Sequence, residues 1–363
     1  MILTKNFFLS KNKIELVLFF CLPIIQLYDF EFFKDILNSD DLTSRRIGFP
    51  LLTSIALPFY FAFVRIKINK LINLEKIILF YFFLLCIISS IGFPFKIILL
   101  INLFYVILFL FSKNPYDNYK SYLICYTAIC FFIFFFRIYT QDLNFNELRG
   151  GLNIWGGLTL VSNWLVLFFL TKNKKQQQKI LFTSFFIALL YVSRSGIIIT
   201  ILMIAITYFK LRLKPTLLIT IIIVLLANYS FEYLDWIYKR FSYINSNTLT
   251  LSRFHIWLDS FEIAKKMPFG VGLGNYIIYS PSGYSNAHNL FLTLIIELSI
   301  FAFPFFYLFI RPIKQLIRRK LFISYILFLT LLTFGGIPLW QVGGSVSLNM
   351  ILGILLINRI NVK

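Results

Sequence analysis

The sequence predicts an all-α integral membrane protein of about twelve transmembrane helices, with one large outer loop that carries amphipathic helices of its own. Three observations predict it. The chain of 363 residues is 59% hydrophobic and only 14% charged, where an average soluble domain carries about 25% charged residues. With 45 Phe and 20 Tyr, it has more apolar surface than one or two soluble cores can hide. The apolar residues also fall in continuous runs near helical-span length, not in the short dyad alternation of a barrel. Finally, the basic residues gather between alternate runs. A soluble enzyme, a disordered chain and a disulfide-stapled secreted domain are excluded.

Taken in order, the apolar runs centre near residues 14–28, 47–64, 77–92, 95–111, 121–136, 155–171, 180–193, 196–209, 216–229, 289–310, 321–337 and 345–358. The first follows Lys5, Lys11 and Lys13 as a signal peptide would, but no small-residue cleavage site follows it, so it reads as an uncleaved first span. Cys21, Cys86, Cys125 and Cys130 all lie inside apolar runs without CxxC spacing. They read as small buried hydrophobes, not as metal or redox groups.

Orientation follows from counting Lys and Arg. With the N-terminus inside, the inner segments hold 23 of the 35 basic residues, among them Lys172, Lys174, Lys175, Lys179, Arg311, Lys314, Arg318, Arg319, Lys320 and Arg359. Their only acids are Glu15, Glu75 and Asp117, so the whole formal charge of +20 lies on the inner side. Both termini are then cytoplasmic. The charge is a topology signal, and no nucleic acid partner is expected.

Three outer segments exceed a tight turn: about 29–46, about 137–154, and the large loop 230–287. Connections of that length are usually functional. In the large loop, Ser252 reads as an N-cap, with Arg253 in the first turn and Phe254, Trp257, Leu258 and Phe261 at helical spacing. The pattern predicts an amphipathic helix on the outer interface, ended before Pro268. His255 lies on a different face from Arg253 and reads as interfacial. Gly270-Val271-Gly272-Leu273-Gly274-Asn275 follows; it is not a dinucleotide fingerprint and reads as a tight turn that lets backbone approach a ligand or a helix.

His288 opens span ten, with Asn289 beside it and Glu297 more than two turns inside. An imidazole at a helix N-terminus is disfavoured as a cation, so it can accept a proton; a plain polar cap at a membrane entry is the other reading. Ser193-Arg194-Ser195-Gly196 sets an arginine in a short outer turn with no acid nearby in sequence, either as a functional group or as one snorkelling to the interface. Arg149 also falls outside, just before span six. Glu297 needs a partner, and Arg194, Arg253 or His288 could serve. Guanidinium forks match phosphate oxygens and hold their charge when desolvated, so the outer face suits a lipid-linked diphosphate without a metal or other cofactor.

The order of these motifs, from Ser193-Arg194-Ser195-Gly196 through Ser252-Arg253 to Trp257, the Pro268–Asn275 glycine run, His288-Asn289 and Glu297, resembles the O-antigen ligase and O-antigen polymerase superfamily. The resemblance covers roughly residues 147–310. It implies a single polytopic domain over 1–363 of the GT-C-like membrane glycosyltransferase type, in the bacterial inner membrane, with its active site on the periplasmic face. It implies metal-independent transfer of a glycan from an undecaprenyl diphosphate carrier to a sugar hydroxyl, in polysaccharide or lipopolysaccharide biosynthesis. By resemblance Arg194 and Arg253, and more loosely Arg149, engage the diphosphate, His288 is catalytic, and Asn289 and Glu297 support it. Ser299 departs from the pattern, standing where the family often has glycine after the acidic residue.

The acceptor separates two activities. A polymerase uses another lipid-linked repeat, with a chain-length regulator as a candidate partner; a ligase uses lipid A–core. The short chain, rich in Phe, Ile, Lys and Asn, favours the polymerase by compositional analogy. Two rivals stand beside it: a metal-dependent transferase built on Asp40-Asp41 in the first outer segment, and a flippase for lipid-linked sugars. The scarcity of mid-span charge and the gathering of polar residues on one face disfavour transport.

Overall fold

The structure is a computed structural model that describes residues 71–89, most of 100–140, 153–191, 193–208, 248–281, 287, 289–335 and 348–360. In chain order its helices are α1 (Asn73–Ile88), α2 (Pro115–Thr140), α3 (Asn153–Leu170), α4 (Lys174–Leu190), α5 (Arg194–Tyr208), α6 (Thr248–Lys266), the single turn α7 (Tyr276–Tyr279), α8 (Leu290–Leu298), α9 (Phe303–Ile310), α10 (Ile313–Arg318), α11 (Phe322–Gly335) and α12 (Leu348–Ile360). A 3-10 turn, Ser299–Ala302, joins α8 to α9. No strand occurs among the described residues, so the all-helical expectation holds.

Helices α1 to α5, the stretch from α8, α11 and α12 fall where apolar runs were expected. The runs at 14–28, 47–64 and 216–229 lie outside the described residues, and 95–111 is described only in part. Among the described residues one stretch, Leu290–Arg318, is long and apolar enough to cross a membrane, and Leu160–Leu170, Ser195–Thr207 and Phe322–Thr333 are shorter apolar helices. The count of twelve spans therefore rests on the sequence.

The chain forms two compact units: Met1–Asn144 with Trp340–Arg359, and Phe145–Leu339 with Ile360–Lys363. In the first unit, Glu75 reaches back from the first turn of α1 to accept the N–H of Ile72 at 2.9 Å, which satisfies one orphan donor of the helix start. The same fully buried carboxylate takes the guanidinium of Arg359 in α12, Nε to Oε1 and Nη2 to Oε2, both at 2.8 Å. The remaining Nη1 donates to the Leu110 carbonyl at 2.8 Å. Such a fork satisfies both charges as they leave water. Cys86 and Cys125 are buried thiols outside any disulfide, placed as small hydrophobes are.

The second unit carries the motifs. Helices α3 and α4 form a hairpin, α4 and α5 another, and α11 packs against α3, α5 and α8. Asn173 caps α4, its Oδ1 accepting the N–H of Lys175 at 2.9 Å. Arg319 closes the end of α3 by donating Nη1 to the Phe169 carbonyl at 2.7 Å and Nη2 to the Thr171 carbonyl at 2.8 Å. Carbonyls of a last helical turn have no partner within the helix, and a cation there also meets the negative end of its dipole. The grip gathers Lys172, Lys174, Lys175, Arg318, Arg319 and Lys320 at one end of the unit. Helix α4 runs away from that end for 17 residues, about 25 Å, before α5 starts. The stretch Leu290–Arg318 finishes at the basic end.

Candidate functional site

The Ser193–Gly196 motif resolves into separate jobs. Ser193 stands just before α5; its Oγ accepts the N–H of Gly196 at 3.3 Å and its carbonyl that of Ile197 at 2.8 Å. That is an N-cap. Its own N–H donates to the Ala188 carbonyl at 2.8 Å, closing the turn from α4. A Cβ on Gly196 would lie 2.9 Å from Ser193 Oγ and 3.2 Å from Ala188 Cβ, so glycine lets α5 pack closely on the end of α4. Arg194 is then the first residue of α5. A cation at the positive end of a helix dipole is unfavourable by about 0.3–1 kcal/mol, a conflict that a bound anion would relieve.

Helix α6 begins at Thr248, four residues before the expected cap. Ser252 and Arg253 therefore lie in its second turn. The stretch Asn245-Ser246-Asn247-Thr248 is made of capping residue types, so cap chemistry alone could not single out the start. The helix ends before Pro268, as expected. The face it packs on the rest of the unit is distinct from the Leu258 and Phe261 side assigned to the membrane interface. Ile256 and Ile263, with Trp257 and Ala264 partly covered, pack on Val271, Tyr276, Ala287, Leu292 and Ile296, while Leu258 and Phe261 stay exposed. Buried Ser260 binds the Tyr276 hydroxyl at 2.8 Å and donates to the Ile256 carbonyl at 2.6 Å. Burial pushes the Tyr276 hydroxyl above the usual phenol pKa, so it stays a neutral partner.

The glycine run is a turn that approaches a helix. Gly270, Gly272 and Gly274 all have positive φ, +87°, +89° and +75°, where glycine alone avoids a Cβ clash. The turn lies against the last turn of α8. Val271 N–H donates to the Ile296 carbonyl at 3.0 Å and Gly272 N–H to the Glu297 carbonyl at 2.9 Å, satisfying carbonyls that α8 leaves open at its end. Gly274 N–H donates to Glu297 Oε2 at 3.0 Å. Sequence spacing offered Arg194, Arg253 or His288 as the partner of Glu297, and their side chains lie outside what the structure describes; this main-chain N–H is one contact of the buried carboxylate. Such contacts across more than twenty residues leave no trace in local spacing.

Ser299, the departure from the family pattern, has φ 50° and ψ −124°. Its hydroxyl donates to the Pro268 carbonyl. This backbone region favours glycine, which is why a glycine pattern fits the position.

The start of α8 is braced on both sides. Asn289 caps it, Oδ1 accepting the N–H groups of Phe291 and Leu292, both at 3.1 Å. Thr293 Oγ1 donates to the Asn289 carbonyl at 2.9 Å and accepts the N–H of Ala287 at 3.2 Å. Trp257 Nε1 of α6 donates to the Ala287 carbonyl at 3.1 Å. Arg253 lies one turn before Trp257 on the same face of α6, and His288 directly precedes the cap of α8 in sequence. Arg194 and Arg253 are described by their helical positions alone. His288, Arg149 and the Asp40-Asp41 pair lie outside the described residues. Helix α6 and the start of α8 are thus brought together. In the sequence Trp257 stands in an apolar stripe and closes the Ser252-Arg253 motif, while nothing there singles out Thr293. Their partners are set by contacts between segments, which local spacing does not announce. Among the described residues no group of three or more His, Cys, Asp or Glu could hold a metal.

Residues 180–307 match a family model described as O-antigen ligase. The match spans 128 of the 363 residues and takes in α5, α6, the glycine turn and α8. It upholds the resemblance read from the motifs. No curated protein and no solved structure matches the chain.

Proposed function

From the likeness of residues 180–307 to O-antigen ligase, we propose that the chain is a membrane glycosyltransferase that polymerises lipid-linked repeat units. The donor is an undecaprenyl-diphosphate-linked glycan and the acceptor a sugar hydroxyl on another such repeat. Arg194 and Arg253, with Arg149, bind the diphosphate, and the neutral imidazole of His288 takes the acceptor's hydroxyl proton. The freed oxygen attacks the anomeric carbon as the bond from that carbon to the diphosphate oxygen breaks. The arginines take up the charge that develops on the departing undecaprenyl diphosphate, so no metal is needed. Direct displacement inverts the anomeric centre. Glu297 and Asn289 support the site by holding the glycine turn and the start of α8.

The observation that carries this reading is the bond from Trp257 to Ala287, which joins the helix bearing Arg253 to the residue before His288. A diphosphate and a base must face one reacting carbon from neighbouring elements. The acceptor admits a second reading. The matched family's description favours the ligase, in which lipid A–core takes the glycan.

The test is to incubate the purified protein with a lipid-linked oligosaccharide alone, in excess chelator, and resolve the products by length. The proposal expects a ladder of longer lipid-linked chains. Transfer only after lipid A–core is added would replace the polymerase by the ligase. Activity abolished by the chelator would move catalysis toward a metal site such as Asp40-Asp41. No transfer to either acceptor from a matched donor would leave transport.

A further inference from the structure

We propose that Trp257 is a positioning residue, whose indole N–H sets the chain carrying His288 against the helix carrying Arg253. The proposal rests on the reading of His288 as the base. Trp257 is half-buried at the edge of the small core between α6, the glycine turn and α8. A buried indole N–H normally finds a partner. Here the partner is the main-chain carbonyl of Ala287, thirty residues further on, at 3.1 Å.

The choice of acceptor is what gives the bond a role. Ala287 is fully buried, and side chains from two different helices take both its main-chain groups: Trp257 of α6 the carbonyl, and Thr293 of α8 the N–H. On the other side of His288, Asn289 is tied to α8 by its cap and by Thr293. The residues flanking position 288 are therefore anchored, one to both helices and the other to α8. Of these anchors, only the indole reaches back to α6. Arg253 lies one turn from it on the same face, so the bond links the chain before the base to the element bearing a diphosphate ligand. Removing the N–H would leave most of the apolar packing in place and release that link.

The experiment compares four full-length proteins in detergent with lipid-linked oligosaccharide as donor: wild type, Trp257→Phe, Tyr276→Phe and His288→Ala. Tyr276→Phe also deletes a buried polar bond of this core, the one to Ser260, but the Tyr276 hydroxyl makes none of the described hydrogen bonds of Ala287 or Asn289. Trp257→Phe is expected to lower kcat by about ten- to a hundredfold while donor KM stays within about twofold, the pattern of a misplaced base with intact donor binding. Tyr276→Phe is expected to keep wild-type kcat at a comparable thermal midpoint, and His288→Ala to lose turnover.

Wild-type kcat in Trp257→Phe overturns the proposal while leaving the base reading intact. So do equal kcat losses in Trp257→Phe and Tyr276→Phe, because that pattern marks a purely structural role. Normal turnover in His288→Ala overturns the base reading, and the positioning role with it. Should Trp257→Phe fail to fold, benzothienylalanine at position 257 keeps the ring shape without the N–H and must show the same selective loss of kcat.

Discussion

Gly270 lies against the backbone of Glu297 so closely that a Cβ there would sit 2.5 Å from the Glu297 carbonyl oxygen and 2.9 Å from its carbonyl carbon. Main chain meets main chain, and neither side has a flexible group to move aside. The φ of +87° adds its own penalty for any L side chain. Gly270→Ala is therefore expected to destabilise the second unit by at least about 2 kcal/mol, read as a lower thermal midpoint in detergent. A midpoint equal to wild type would show that the turn is not seated on α8 in solution.

Ser299 predicts the opposite response on the other side of the same contact. Ser299→Gly relieves backbone strain of about 1–3 kcal/mol and gives up one hydrogen bond of about 1 kcal/mol, so stability should hold or rise. Ser299→Val keeps the strain, adds a branched Cβ and loses the bond to Pro268, and should unfold at a lower temperature. The order Gly above Ser above Val in thermal midpoint is the check.

The Glu75–Arg359 pair should behave as a buried ion pair. Glu75→Gln or Arg359→Met alone leaves the other charge uncompensated, at a cost of about 3–5 kcal/mol. Replacing both, as Glu75→Leu with Arg359→Met, should recover much of that loss. A double-mutant cycle in which the two single effects simply add would show that the fork carries no coupling.

Arg319 holds two carbonyls with one planar group. Lysine keeps the charge but not the fork. Arg319→Lys is therefore expected to destabilise the α3–α4 hairpin nearly as much as Arg319→Met, by about 1–3 kcal/mol. Faster amide hydrogen exchange over residues 168–177 would report it; an unchanged exchange pattern in Arg319→Lys would mean that charge alone suffices.

At the candidate site the variants should separate by step. His288→Ala should lose glycan transfer while still retaining the lipid-linked donor. Arg194→Ala and Arg253→Ala should weaken donor engagement, raising donor KM by about tenfold or more for each charge-assisted contact removed. Donor retention by pull-down beside transfer rates distinguishes the two classes. Wild-type transfer in His288→Ala would end the general-base mechanism.

Much of the scaffold was legible in the sequence because its signals are local. Apolar runs marked α1 to α5, α11 and α12, with the polar first turns of α2 (from Pro115) and α4 (from Lys174) lying outside the runs, since burial of each apolar stretch follows from its own composition. Pro268 marked the end of α6, because proline cannot continue a helix. The glycine run announced a close approach through its residue type alone. The start of α6 was less legible: several capping residues in a row compete there, and the helix began at Thr248 instead of after Ser252.

By itself, then, the sequence determined that the chain is helical and apolar, where most of its helices run, and that residues 180–307 are similar to O-antigen ligase. Tertiary structure alone decided what those motifs touch. It paired Glu75 with Arg359 across 284 positions, turned Ile256 and Ile263 of α6 inward while leaving Leu258 and Phe261 exposed, gave Glu297 to the N–H of Gly274, and brought Trp257 to Ala287. Composition and periodicity report the burial preference of single residues and segments. The partner of a buried polar group is set by where two distant segments meet, and that depends on the packing of the whole unit.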